Sequence, residues 1–151
     1  MTVYTALKSR IDQGDIIVLD GATGTELQRR GAPMDPAAWC GPATLENDHI
    51  LTAIHRDYIN AGADIVTANT FASSKIMLKA AGLAERSDEI VTRAIDAALK
   101  ARKDSGHANV VVAASLSHMV PVADGTAKVD PSKIPSDAEI SDAFHSLAHA
   151  A

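Results

Sequence analysis

Residues 16–31, IIVLDGATGTELQRRG, decide how the rest of this chain is read. The stretch opens with Ile16, Ile17, Val18 and Leu19, a short unbroken apolar run. Such a run suits a strand buried on both faces, as in a parallel sheet covered by helices. It stops at Asp20, and Gly21-Ala22-Thr23-Gly24-Thr25 follows, where two glycines let the backbone turn sharply and admit close approach. Residues 26–30 then predict a short helical segment, basic at its end and closed by Gly31. The pattern places a carboxylate at the carboxyl end of a buried strand, where α/β folds bind ligands. Asp-Gly is also a common turn dipeptide, so a turn-forming role for Asp20 stays open beside the ligand-binding one. Neither Gly-x-Gly-x-x-Gly nor a P-loop lysine is present, which removes the two familiar phosphate-binding glycine motifs.

Working outward, residues 1–15 read as a short amphipathic lead-in with Leu7 and Ile11 one turn apart. Residues 32–43, with three prolines, predict a rigid irregular connection carrying Trp39 beside Cys40. Thr44 is placed to cap a helix whose inward face is Ile50, Leu51, Ile54, Tyr58 and Ile59, with His49 and His55 at its surface or edge. Residues 63–68 predict a second strand leading to Asn69-Thr70, and Ser73-Ser74 cap a short helix. A longer helix is expected from about residue 85 to 103, its stripe running through Ile90, Val91, Ala94, Ile95, Ala98 and Leu99. Residues 109–114 predict a third strand. The strand starts at Ile16, Ile65 and Val110 are nearly evenly spaced, as three successive βα units require. Residues 116–136 form a long connection placed to make a flap over the site, and Ser136 with Glu139 completes a capping box for a last helix. That helix turns Ile140, Phe144 and Leu147 inward. His145 and His149 are four apart on it but lack the Glu of a zinc-binding helix motif.

A chain of 151 residues is long enough for one modest domain with a real core. Its hydrophobic content of 46% with 3% aromatic predicts packing by small and aliphatic side chains. A net charge of −5 with no basic cluster beyond Arg29-Arg30 argues against nucleic acid as a partner. No apolar run approaches a membrane span and the first residues begin no signal peptide. The single cysteine, Cys40, has no internal disulfide partner. A cytoplasmic protein is the expectation.

Residues 19–27, LDGATGTEL, followed by Arg30-Gly31 and Trp39, resemble the start of the homocysteine S-methyltransferase family. That family includes betaine–homocysteine methyltransferase and the homocysteine-binding domain of cobalamin-dependent methionine synthase. Residues 61–71, AGADIVTANTF, resemble the family's next motif, in order and at the right distance. The resemblance implies an α/β fold that is the N-terminal part, about three βα units, of a TIM (β/α)8 barrel. On it, residues 1–151 are a partial homocysteine-binding domain, truncated before the half whose cysteines hold the family's zinc. The ligands of that zinc are not in this chain, and Cys40 does not match one. The resemblance further implies transfer of a methyl group from a small donor to the homocysteine thiol, giving methionine. Asp20 would bind the homocysteine ammonium and Gly21 would line the same pocket. Asn69, Thr70 and Phe71 would face it from the second strand's exit, Phe71 at a position held by a substrate-contacting tyrosine in the betaine enzyme. Trp39 falls close to a family tryptophan near the methyl donor. The family's Gly-Pro turn after the third strand is replaced here by residues 117–121, SHMVP.

Two other readings stand beside this one. A three-unit piece with open sheet edges could be a non-catalytic module that forms a homo-oligomer. Alternatively, another barrel enzyme could use Asp20 as a general base.

Overall fold

The computed structural model describes residues 2–117 and 134–151. Its centre is a parallel strand pair, β1 (Ile65–Ala68) and β2 (Val111–Ala114), in register from Ile65 opposite Val111 to Ala68 opposite Ala114. Burial alternates along β1: Val66 and Ala68 face inward, while Ile65 and Thr67 stay half-buried on the other face. The buried face meets two long helices, α3 (Thr44–Asn60) and α5 (Ser87–Ser105), which pack along each other. Ile59, Ala63, Val66, Ala68, Ala98, Ala101 and Val110 form one core cluster there. The buried stripe of α5 is mostly alanine, at 94, 97, 98 and 101, so the helix lies close against α3 and the strands. This is the small-residue packing that the composition predicts.

The lead-in forms α1 (Val3–Asp12), and α2 (Thr23–Arg29) follows the glycine loop. A short helix α4 (Lys75–Ala80) follows β1, and α6 (Asp137–Ala150) packs against α4 and α5. Ser74 accepts from the Met77 amide as the cap of α4. Ser136 and Glu139 form the expected capping box of α6.

The opening stretch departs from its expectation. Residues 16–19 run extended beside β1, yet only Leu19 makes a bridge, parallel to Ile65. The Ile65 amide donates to the Val18 carbonyl at 3.2 Å, and the Asp20 amide donates to the Ile65 carbonyl at 3.0 Å. Ile16, Val18 and Leu19 are exposed rather than buried on both faces. The segment is an edge: among the described residues nothing pairs with its outer side, so its apolar side chains stay open.

Other local differences have identifiable causes. Thr44 is the first residue of α3 rather than its cap, because its hydroxyl accepts from Asn69 instead of from its own helix. Asn47 breaks the regular dihedrals of α3, with φ −124°. His55 lies fully buried in α3, not at its edge, while His49 is exposed. On α5, Leu99 sits at the margin of the stripe and Ala97 and Ala101 are buried in its place. In α1 only Leu7 is buried, and Ile11 faces outward. On α6 Ala143 and Leu147 are buried, with Ile140 and Phe144 half-buried. The expected flap falls largely on residues 118–133, outside the described residues.

Candidate functional site

A cleft of about 360 Å³ opens at the carboxyl ends of the strands. It is lined by residues from four places: the glycine loop with the Leu19 before it, the Trp39–Cys40 connection, β1 with its exit, and the exit of β2 at Ser115. Asp20, Gly21, Asn69, Phe71 and Trp39 all line it. Thr70 does not. Its buried hydroxyl donates to the Ser115 carbonyl at 2.9 Å and accepts from the Ser115 amide at 2.7 Å, tying the exits of β1 and β2 together. Leu19, Thr23, Gly24, Cys40, Thr67, Ala68 and Ser115 complete the lining, and none of them is among the site residues read from the sequence. Thr67 was readable in principle, since it shares a strand face with Ile65 and points away from the helices.

Asp20 is the one carboxylate of the cleft. Its Oδ2 accepts from the Thr67 amide at 2.8 Å and its Oδ1 from the Thr67 hydroxyl at 3.0 Å. Partial burial raises its pKa, and the Thr67 hydrogen bonds offset part of that. No cation pairs with it among the described residues. A half-buried carboxylate held in one orientation, with no cation partner among the described residues, has the chemistry to accept a ligand cation.

The loop around Asp20 is braced from below. The Tyr58 ring lies under Gly21, where a Cβ would sit 2.7 Å from the phenol oxygen, so a side chain there would displace the ring. Arg30 joins α2 to α3 by donating to Glu26 at 2.9 Å and to Asp57 at 2.8 Å. Arg29 and then Arg30 hold the Glu26 carboxyl down to about 2.

The opposite wall is Trp39 and Cys40. Gly24 passes beneath the indole, where a Cβ would meet Trp39 Cη2 at 2.7 Å and Cys40 Sγ at 2.9 Å. Cys40 is buried, donates to Asn69 Oδ1 at 3.2 Å, and has its thiol pushed up to about 11 by burial. It is therefore a protonated packing group at neutral pH, the reverse of a reactive thiol. Among the described residues no three His, Cys, Asp or Glu side chains converge on one point. The donor set of the described residues does not fit a zinc ion.

A ligand cleft over the carboxyl ends of parallel strands, with helices packed on the sheet's other face, is the site arrangement of a βα enzyme. The sequence profile of homocysteine S-methyltransferase matches residues 17–150, and the chain belongs to that family. The homocysteine S-methyltransferase of Escherichia coli is 31% identical over 104 residues, 68% of this chain and 34% of that protein. The selenocysteine Se-methyltransferase of Brassica oleracea is 28% identical over 102 residues, 67% of this chain and 30% of that protein. In structure, the metallated homocysteine methyltransferase MmuM from Escherichia coli superposes with a TM-score of 0.74 and 27% identity, over 95% of this chain and 52% of that one. The chain thus spans about a third of these curated relatives and about half of the solved structure.

Proposed function

We propose that this chain is the acceptor-binding part of a homocysteine S-methyltransferase barrel, about three βα units of it. Its cleft would receive the amino-acid end of homocysteine, with Asp20 as the ammonium receptor. The observation that carries the reading is the Asp20 carboxylate, fixed by Thr67 at the strand end and without a cation partner among the described residues. The Gly21 backbone would line the ammonium side, and Phe71 and Trp39 would flank the aliphatic chain. Thr70 would act through the loop it ties and Asn69 through the wall it holds. The methyl donor would be small, given the space that remains in a cleft of about 360 Å³.

The reaction supported by the family is methyl transfer to the homocysteine sulfur. The new bond joins sulfur to the methyl carbon, the donor's heteroatom leaves with its bonding pair, and the thiol proton departs. The part assigned to these residues is positioning: a fixed acceptor in a partly dry cleft lowers the entropic cost of an in-line approach. The family's zinc finds no ligand set among the described residues, and no step here passes through it. No described helix is long and apolar enough to cross a membrane. A cytoplasmic location belongs to the same proposal. Exposed Ile16, Val18 and Leu19 favour association along that edge, with another copy or with the rest of a barrel.

Calorimetric titration with L-homocysteine and with 4-mercaptobutanoic acid, which lacks only the amino group, tests the assignment. Homocysteine should bind and the des-amino analogue should bind at least about tenfold more weakly, as loss of one charge-assisted contact requires. Equal binding of the two would remove Asp20 from substrate recognition.

A further inference from the structure

Asn69 stands where β1 leaves the sheet and is 4% exposed. Its amide is used inside the cleft wall. Nδ2 donates to the Cys40 carbonyl at 2.9 Å and to Thr44 Oγ1 at 3.0 Å, while Oδ1 accepts from Cys40 Sγ at 3.2 Å. Both Nδ2 hydrogens are engaged, which leaves the amide no donor for a ligand. Two of the three bonds fall on the residue directly after Trp39.

Trp39 has a left-handed backbone, φ 50°, and among the described residues it is the sole non-glycine to do so. For a bulky aromatic that conformation is strained, and it persists only where the surroundings over-determine it. The surroundings here do so from both sides. Before Trp39, the Asp35 and Trp39 backbones exchange hydrogen bonds of 2.8 and 2.9 Å. Asp35 Oδ1 also accepts from the Ala37 and Ala38 amides at 2.7 Å each. After it, Asn69 grips Cys40. Beneath it, Gly24 leaves the room that the indole occupies.

We propose that Asn69 is a positioning residue of the cleft. It ties the β1 exit to Cys40 and Thr44 and thereby keeps Trp39 in its strained backbone state, so that the indole stands as a preformed wall before any ligand arrives. A preformed wall spares the ligand the cost of ordering a large aromatic side chain on binding. The inference rests on the homocysteine reading only for the ligand's identity.

Trp39 is the single tryptophan of the chain, so its fluorescence reports this wall alone. Asn69→Leu keeps the side chain's bulk and removes all three hydrogen bonds. The comparison is Ser87→Ala, which deletes a buried hydrogen bond to the Ser73 carbonyl away from the cleft. Emission maximum and acrylamide quenching are read under conditions where circular dichroism shows each variant folded. Trp39 is 37% exposed. Its release in Asn69→Leu should shift emission to the red and raise the quenching constant about twofold, as a wall no longer held relaxes into solvent. Ser87→Ala should leave both unchanged. An unmoved Trp39 in folded Asn69→Leu overturns the proposal, and so does an equal shift in Ser87→Ala, which would mean general loosening. If Asn69→Leu does not fold, Thr44→Val, which loses one of the three bonds, decides the matter in the same way: a smaller red shift supports the proposal, and none overturns it. Because no substrate is added, failure here leaves the homocysteine reading standing, and failure of homocysteine to bind leaves this one standing.

Discussion

His55 makes the acid side of this protein's stability calculable. Its ring is fully buried in α3, and neither Nδ1 nor Nε2 has a hydrogen-bond partner among the described residues. Burial lowers its pKa from the ordinary 6.5 to about 4. Between those two values the unfolded chain binds a proton that the folded chain refuses. Stability is therefore fully present above pH 6.5 and is lost as pH falls toward about 4. The difference of about 2.5 units corresponds to a loss of about 3 kcal/mol, a large share of a domain stability of about 5–15 kcal/mol. His55→Leu removes both the titration and the two unpartnered nitrogens. It should raise stability at neutral pH by about 1–3 kcal/mol and flatten the acid limb. The assay is urea unfolding followed by far-ultraviolet circular dichroism across that pH range, for both proteins. Asp20, whose pKa is raised, works in the opposite sense, its contribution being lost as pH rises through its folded pKa. Subtracting the two proteins' curves cancels it. Parallel pH profiles for wild type and His55→Leu would refute the reasoning.

Asp20→Asn keeps both Thr67 contacts, since its oxygen can accept from the amide while its NH2 donates to the hydroxyl. Homocysteine affinity should fall by tens-fold or more, from a loss of about 2–5 kcal/mol, while melting temperature holds or rises; unchanged affinity in calorimetry would make Asp20 a turn residue. Gly41→Ala would place a Cβ on the Ala72 carbonyl oxygen, a backbone atom that cannot swing away. A destabilisation of about 1–3 kcal/mol in urea unfolding is expected, and a neutral result would contradict the packing at that point. The isolated 151-residue chain should self-associate through Ile16, Val18 and Leu19, and Val18→Lys should reduce this in light scattering; a monodisperse wild-type monomer would count against it. Elemental analysis of the same chain should find no stoichiometric zinc, whereas one-to-one zinc lost on replacing His145 or His149 would reverse the reading of that pair.

The parallel βα succession was legible because periodicity and punctuation agreed: the apolar run at residues 65–68, the stop at Gly62, the stripe on α5 and the Ser136 capping box each named their own element. What failed to show was everything decided by a neighbour distant in sequence. His55 lies at helical spacing between Leu51 and Ile59, on the inward face, and its residue type rather than its position suggests the surface or edge; packing of α3 buries it. Thr44 has the chemistry of a cap, yet Asn69, 25 residues on, takes its hydroxyl. The run at residues 16–19 carries a buried strand's pattern while standing at an edge, since pattern records what a segment can cover and not what covers it. In the cleft, Asp20, Gly21, Trp39, Asn69 and Phe71 came from family motifs and all line it. Thr67 stands inside the second motif but nothing in the pattern marks it, Cys40 carries no motif, and the roles of both exist only where the chain folds them against Asp20 and Asn69.

The attachment of residues 18–20 to β1 sets the smallest transplantable unit of this site. Asp20 is located by its amide on the Ile65 carbonyl and by its carboxylate on Thr67, and Val18 by its amide on Asp64 Oδ2 at 2.9 Å. The carboxylate's coordinates are thus borrowed from a segment more than forty residues away. A designer grafting the glycine loop alone onto another barrel would carry over the charge without its aim. Residues 18–20 and 64–67 would have to travel together.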